Sequence, residues 1–102
     1  IVKTQPKQQQ ATLYAILYFK KREAIFTGEI YDVYKQICEK VGLRPLTQRR
    51  VSDIIGELDM LGIINAKVIS KGRFGRTREI SLSIPDTLIP KIVSALEQSM
   101  GL

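Results

Sequence analysis

Histidine is absent from this chain and cysteine occurs once, at Cys38. Without an imidazole nearby in sequence or anywhere else, that thiol lacks the base that would activate a nucleophile, and it lacks the partners that would complete a zinc site. No metal ligand set is expected, and Cys38 reads as a small core residue. A lone cysteine also excludes an internal disulfide framework and fits a reducing interior. No run of eighteen apolar residues occurs, so a transmembrane helix is excluded. The first ten residues, IVKTQPKQQQ, have neither the apolar core of a signal peptide nor an initiator Met, and the chain is expected to be a piece of a larger cytoplasmic protein. Internal repeats and low-complexity linkers are missing as well.

What remains is an ordinary globular composition, 44% hydrophobic and 25% charged over 102 residues, enough for one domain with a single modest core. The net charge of +6 is unevenly placed. Positions 44 to 50 carry Arg44, Arg49 and Arg50, positions 67 to 78 carry Lys67, Lys71, Arg73, Arg76 and Arg78, and neither stretch holds an acid. Half of the sixteen basic residues thus sit in two short segments, and the rest of the chain is slightly acidic. A solvated surface has no reason to segregate charge in this way, so the two segments point to an acidic partner.

Hydrophobic periodicity predicts a first helix over 8–22, with Leu13, Ile16 and Leu17 on one face and Lys20, Lys21 and Arg22 in its last turn, where cations suit the helix dipole. Ile25 and Phe26 make a short strand. Thr27 is expected to cap a second helix, whose Ile30, Tyr34, Ile37 and Val41 share a face and which Gly42 ends. After a short turn containing Pro45, residues 47–62 form a third helix. Thr47 is its cap, Leu46 and Val51 have the spacing of a hydrophobic staple, and Val51, Ile54, Ile55, Leu58 and Leu61 form its buried stripe. Gly62 stops it. Residues 63–71 and 78–84 are β-branched and alternating, with Ile80, Leu82 and Ile84 on one face of the second; which of the adjacent Val68 and Ile69 points inward is open. GRFGRT between them suits a hairpin tip, because Gly72 and Gly75 permit tight backbone there. Pro85 and Asp86 lead into a last helix with a stripe of Ile89, Ile92, Val93, Leu96 and Met100, its start ambiguous because of Pro90. The order describes an α+β, mostly helical winged helix, residues 1–102 forming one domain: a three-helix core with a helix-turn-helix, a two-stranded β wing and an extra C-terminal helix.

The third helix places Gln48, Arg49, Ser52 and Asp53 on its polar side, with Arg50 at the edge of the buried stripe. Arg49 and Arg50 stand in the first turn, where the macrodipole favours a negative group, so an anion from outside is expected. In a helix-turn-helix this end enters the major groove, where arginine can fork onto guanine, Gln48 can bond adenine, and Ser52 can reach base or phosphate. Asp53 fits cytosine, or pairs with Arg49 four residues earlier; Arg50 reaches for DNA, or lays its stem along the core. The hairpin, with Lys71, Gly72, Arg73, Phe74, Gly75, Arg76, Thr77 and Arg78, would follow the backbone and minor groove. Phe74 either wedges between base steps or packs on its own strands. A hairpin merely blunting a sheet edge would be served by lysine, whereas arginine predominates here, the residue of phosphate and base recognition.

From about Thr27 to Leu82, and most specifically in the motifs TGE-x-Y, LTQRRVSD-x-I, ELDMLGII and SKGR-x-GRT, the chain closely resembles the C-terminal winged-helix domain of the archaeal origin-recognition initiators, the ORC/CDC family. That resemblance implies double-stranded origin DNA as partner, with Thr47, Gln48, Arg49, Arg50, Ser52 and Asp53 in the recognition helix and Lys71 to Thr77 in the wing. It also implies a preceding AAA+ ATPase domain, a replicative helicase as a further partner, and a nucleoid-associated location without membrane contact. No G-x-x-x-x-G-K-S/T phosphate loop occurs, so these residues are not expected to catalyse anything, and ATP with Mg would belong to the ATPase domain. Two other readings stay open: a winged-helix transcription regulator, marked by a dimerisation helix, and a protein-interaction winged helix, marked by an exposed apolar patch.

Overall fold

The computed structural model describes residues 6–19, 25–70 and 76–101. Its elements run α1 (Lys7–Tyr18), β1 (Ile25–Phe26), α2 (Thr27–Val41), α3 (Gln48–Met60), β2 (Ile64–Ser70), β3 (Arg76–Leu82) and α4 (Ile89–Met100). Helices α1, α2 and α3 pack around a core in which Leu13, Ile16, Ile30, Tyr34, Val51 and Ile55 are completely buried. Cys38 is buried among them, and burial pushes its thiol pKa upward, against a hydrogen bond with Tyr34 that lowers it. Helix α4 lies on α1, joined there by the Tyr14 hydroxyl, which donates to Glu97 at 2.8 Å.

Several boundaries differ from expectation. Helix α1 ends at Tyr18, so its last turn holds no cation; Lys20, Lys21 and Arg22 lie outside the described residues. Thr27 is the first residue of α2 rather than its cap. Phe26 takes the cap position in extended backbone, and Glu29 supplies the missing acceptor by receiving the Phe26 N–H at 3.1 Å. Leu61 is not part of the buried stripe but the C-cap of α3, 58% exposed. Beyond it Gly62 adopts φ 80°, letting Gly62 N–H reach Asp59 and Ile63 N–H reach Leu58 at 3.0 and 3.2 Å, the two bonds of a Schellman termination. The turn after Pro85 closes with Leu88 N–H on the Pro85 carbonyl, and α4 starts at Ile89, so Pro90 falls in its first turn, where proline is tolerated.

The sheet has three antiparallel strands in the order β1-β3-β2, so the two-residue β1 extends the expected two-stranded wing at its base. Ile25 lies opposite Ile80, and Ile64 opposite Leu82. Side chains alternate across a strand, so Ile64, Ala66 and Val68 share a face with Leu82, Ile80 and Arg78. Ile64, Ile80 and Leu82 are buried on the helices, whereas Val68 is 54% exposed. Val68 therefore belongs to the inward face, but the hairpin has by then run past the helical core.

Candidate nucleic-acid interface

Thr47 begins α3 as the sequence demands: its backbone is extended and its Oγ1 accepts the Arg50 N–H at 3.3 Å. Leu46, just ahead, is half-buried against the core that contains Val51. Thr47, Gln48, Arg49, Arg50 and Asp53 are all exposed and Ser52 is half-buried. Arg50 stands clear of the core's edge. The Arg49–Asp53 pair does not form, and among the described residues neither side chain has a partner. The acids further along the helix are engaged internally instead. Glu57 accepts from Gln9 of α1 at 2.7 Å, and Asp59 accepts the Ala66 N–H of β2 at 3.3 Å. The negative end of α3 is thus tied into the fold, and its arginines remain available.

The turn that aims this helix is held at three backbone atoms. Tyr34 accepts the Leu46 N–H at 2.8 Å and donates to Gln8 at 2.5 Å, Gln8 donates to the Arg44 carbonyl at 3.0 Å, and Tyr31 donates to the Leu46 carbonyl at 2.9 Å. Burial raises the Tyr34 phenol pKa to about 12, although the Leu46 N–H pulls it the other way. Sequence reasoning placed Tyr34 on a buried face and missed this clamp. The signal was available, since a buried tyrosine hydroxyl usually finds a hydrogen-bond partner.

Of the wing residues, Lys71, Gly72, Arg73, Phe74 and Gly75 lie outside the described residues. The Arg76 and Thr77 backbones pair with Ser70 and Ile69. Lys67 is exposed on β2, opposite Glu79. Arg78 differs from the exposed Lys67: it is half-buried on the sheet's inner face, and its Nη1 donates to the Ser52 carbonyl of α3 at 2.7 Å. A groove between α1 and α4, lined by Tyr14, Leu17, Tyr18, Ile89, Val93 and Glu97, holds a carboxylate and, among the described residues, no cation.

A three-helix core with β1 at the root of a β2–β3 hairpin is the arrangement that the comparison with known families returns. The model of the CDC6 C-terminal winged helix domain matches residues 1–91. The chain belongs to this family. Among archaeal relatives, this winged-helix domain is 56% identical over 86 residues to an ORC1-type DNA replication protein of Pyrococcus abyssi, covering 82% of the chain and 20% of that protein. It is 49% identical over 100 residues to the corresponding Thermococcus kodakarensis protein, covering 96% of the chain and 24% of that protein. Among solved structures, Aeropyrum pernix ORC1 in complex with DNA superposes with a TM-score of 0.80 at 43% identity, over 95% of this chain and 25% of that one. Cdc6p from Pyrobaculum aerophilum shares the fold, with a TM-score of 0.76 at 18% identity, over 97% of this chain and 24% of that one. The winged-helix domain therefore spans about a quarter or less of the relatives it matches.

Proposed function

We propose that this winged-helix domain binds duplex DNA at replication origins and thereby supports initiation, with α3 in the major groove and the β2–β3 wing on the minor groove. The observation that carries this is the division of charge along α3. Gln48, Arg49 and Arg50 are exposed at the helix's positive end, their side chains without a partner among the described residues, while Glu57 and Asp59 are committed to α1 and β2. Two cations at that end cost stability in isolation, and a phosphate or the acceptor edge of a guanine offsets the cost. The similarity to an ORC1 protein solved with DNA supports the same reading. In the longer protein, the domain would place an AAA+ ATPase, with its ATP and Mg, on nucleoid DNA for delivery to a replicative helicase.

The test is fluorescence anisotropy of a labelled mixed-sequence duplex across a salt series, followed by footprinting on candidate origin DNA. Neutralising about five to eight phosphates predicts a log–log salt slope near −0.9 for each contact. Absence of duplex binding at low salt refutes the proposal.

A further inference from the structure

Arg78 has the charge expected of a wing residue but spends it inside the fold, on the Ser52 carbonyl. On the inward face of β3, it follows Leu82 and Ile80 at two-residue spacing, directly opposite Val68. Its Nη1 lies 2.7 Å from the Ser52 carbonyl, in the middle of α3. Gly56 sits one helical turn beyond Ser52. A Cβ built at Gly56 would lie 3.3 Å from Nη1 and 3.9 Å from Nη2. A glycine inside a helix is less stable than alanine there, and α3 carries one where the guanidinium lies against it. Val68, the other inward side chain at this level, is too exposed to seal the hairpin onto the helix by apolar packing.

We infer that Arg78 is a positioning residue: its bond to the Ser52 carbonyl across Gly56 locks the outer half of the wing against the recognition helix and sets the distance between the two DNA-facing elements. The role in DNA binding rests on the function proposed above; the lock itself does not. A guanidinium suits it because a carbonyl on a packed helix has room for a flat donor, and a lysine ammonium would present a bulkier hydrated group.

The experiment uses Arg78→Ala, Gly56→Met and their combination, each in the present chain. Without DNA, amide hydrogen exchange is measured along Lys67–Ser70 and Arg76–Glu79. Each single change is expected to speed exchange there about tenfold or more, with little change in α1 and α2, and the double variant should add little, because both changes remove one contact. Unchanged exchange in Arg78→Ala overturns the inference. With the mixed-sequence duplex, both single variants should weaken binding several-fold at an unaltered salt slope. A slope reduced by about 0.9 in Arg78→Ala would instead make it a phosphate ligand and overturn the positioning role. If the unaltered chain binds no duplex, the proposed function fails, while the exchange result still decides whether the lock exists.

Discussion

The Tyr34 hydroxyl takes the Leu46 N–H at 2.8 Å, and through that bond a residue in the middle of α2 determines where α3 begins. Tyr34 is fully buried, and without its hydroxyl the Leu46 amide loses the partner that holds it. Tyr34→Phe is expected to cost about 1 to 3 kcal/mol, because it leaves a buried donor unsatisfied. Urea denaturation measures the loss. Tyr31→Phe releases the Leu46 carbonyl, which accepts at 2.9 Å from a side chain only half-buried, and should cost less. Equal stability of Tyr34→Phe and the unaltered chain would show that the turn is held by other means.

Alkaline pH acts on the same hydroxyl. Burial raises Tyr34 to about 12, and burial together with the bond to Glu97 and its charge raises Tyr14 to about 12, from an ordinary value of 10.0. The folded form therefore retains both protons where the unfolded chain has lost them. The stability linked to these groups is complete below pH 10 and disappears as the pH rises from 10 to 12. Thermal melts across that window should show a falling midpoint, and Tyr14→Phe should flatten the fall. A midpoint insensitive to pH there would contradict the assigned environments.

The two basic elements should fail in different ways. Arg49→Ala or Arg50→Ala is expected to cost ~1 to 3 kcal/mol on preferred sequences and relax discrimination at a base pair. Arg73→Ala with Arg76→Ala should weaken all duplexes alike and make the salt slope shallower by nearly two contacts. Binding-site selection with each variant separates these outcomes. A uniform loss for Arg49→Ala would limit that residue to phosphate contact.

Thr47 offers a simpler case. Its Oγ1 caps Arg50 N–H, and Thr47→Ala should lower stability by about 1 kcal/mol, whereas Thr47→Ser preserves the oxygen and most of the stability. Chemical denaturation of the two variants side by side provides the check.

How much of this was legible beforehand depended on whether a residue's role was local. The α3 stripe from Val51 to Leu58, the Thr47 cap and the Gly42 and Gly62 stops follow from spacing and backbone chemistry within a few residues, and the structure repeats them, leaving out only Leu61. Roles that depend on distant partners were not legible. Nothing near Gln8, Gln9 or Tyr34 in sequence indicates that they meet Arg44, Glu57 and Leu46. Of the two roles open to Asp53, the i, i+4 pair with Arg49 does not form: both residues are exposed, where such a pair gains only a few tenths of a kcal/mol. Charge alone groups Arg78 with the wing, and only the fold shows that its guanidinium meets the Ser52 carbonyl of α3.

The passage from α3 to β2 takes three residues, Leu61 to Ile63, and is crossed by the Gly62–Asp59 and Ala66–Asp59 bonds and closed by Ser83 N–H on the Ile63 carbonyl at 3.1 Å. Such a joint makes the helix and the hairpin the two jaws of a caliper with one fixed opening. On the proposed function, a duplex gripped by both jaws would have to bend or narrow its own groove to fit. The base steps that yield most easily would then be favoured at positions that no side chain touches.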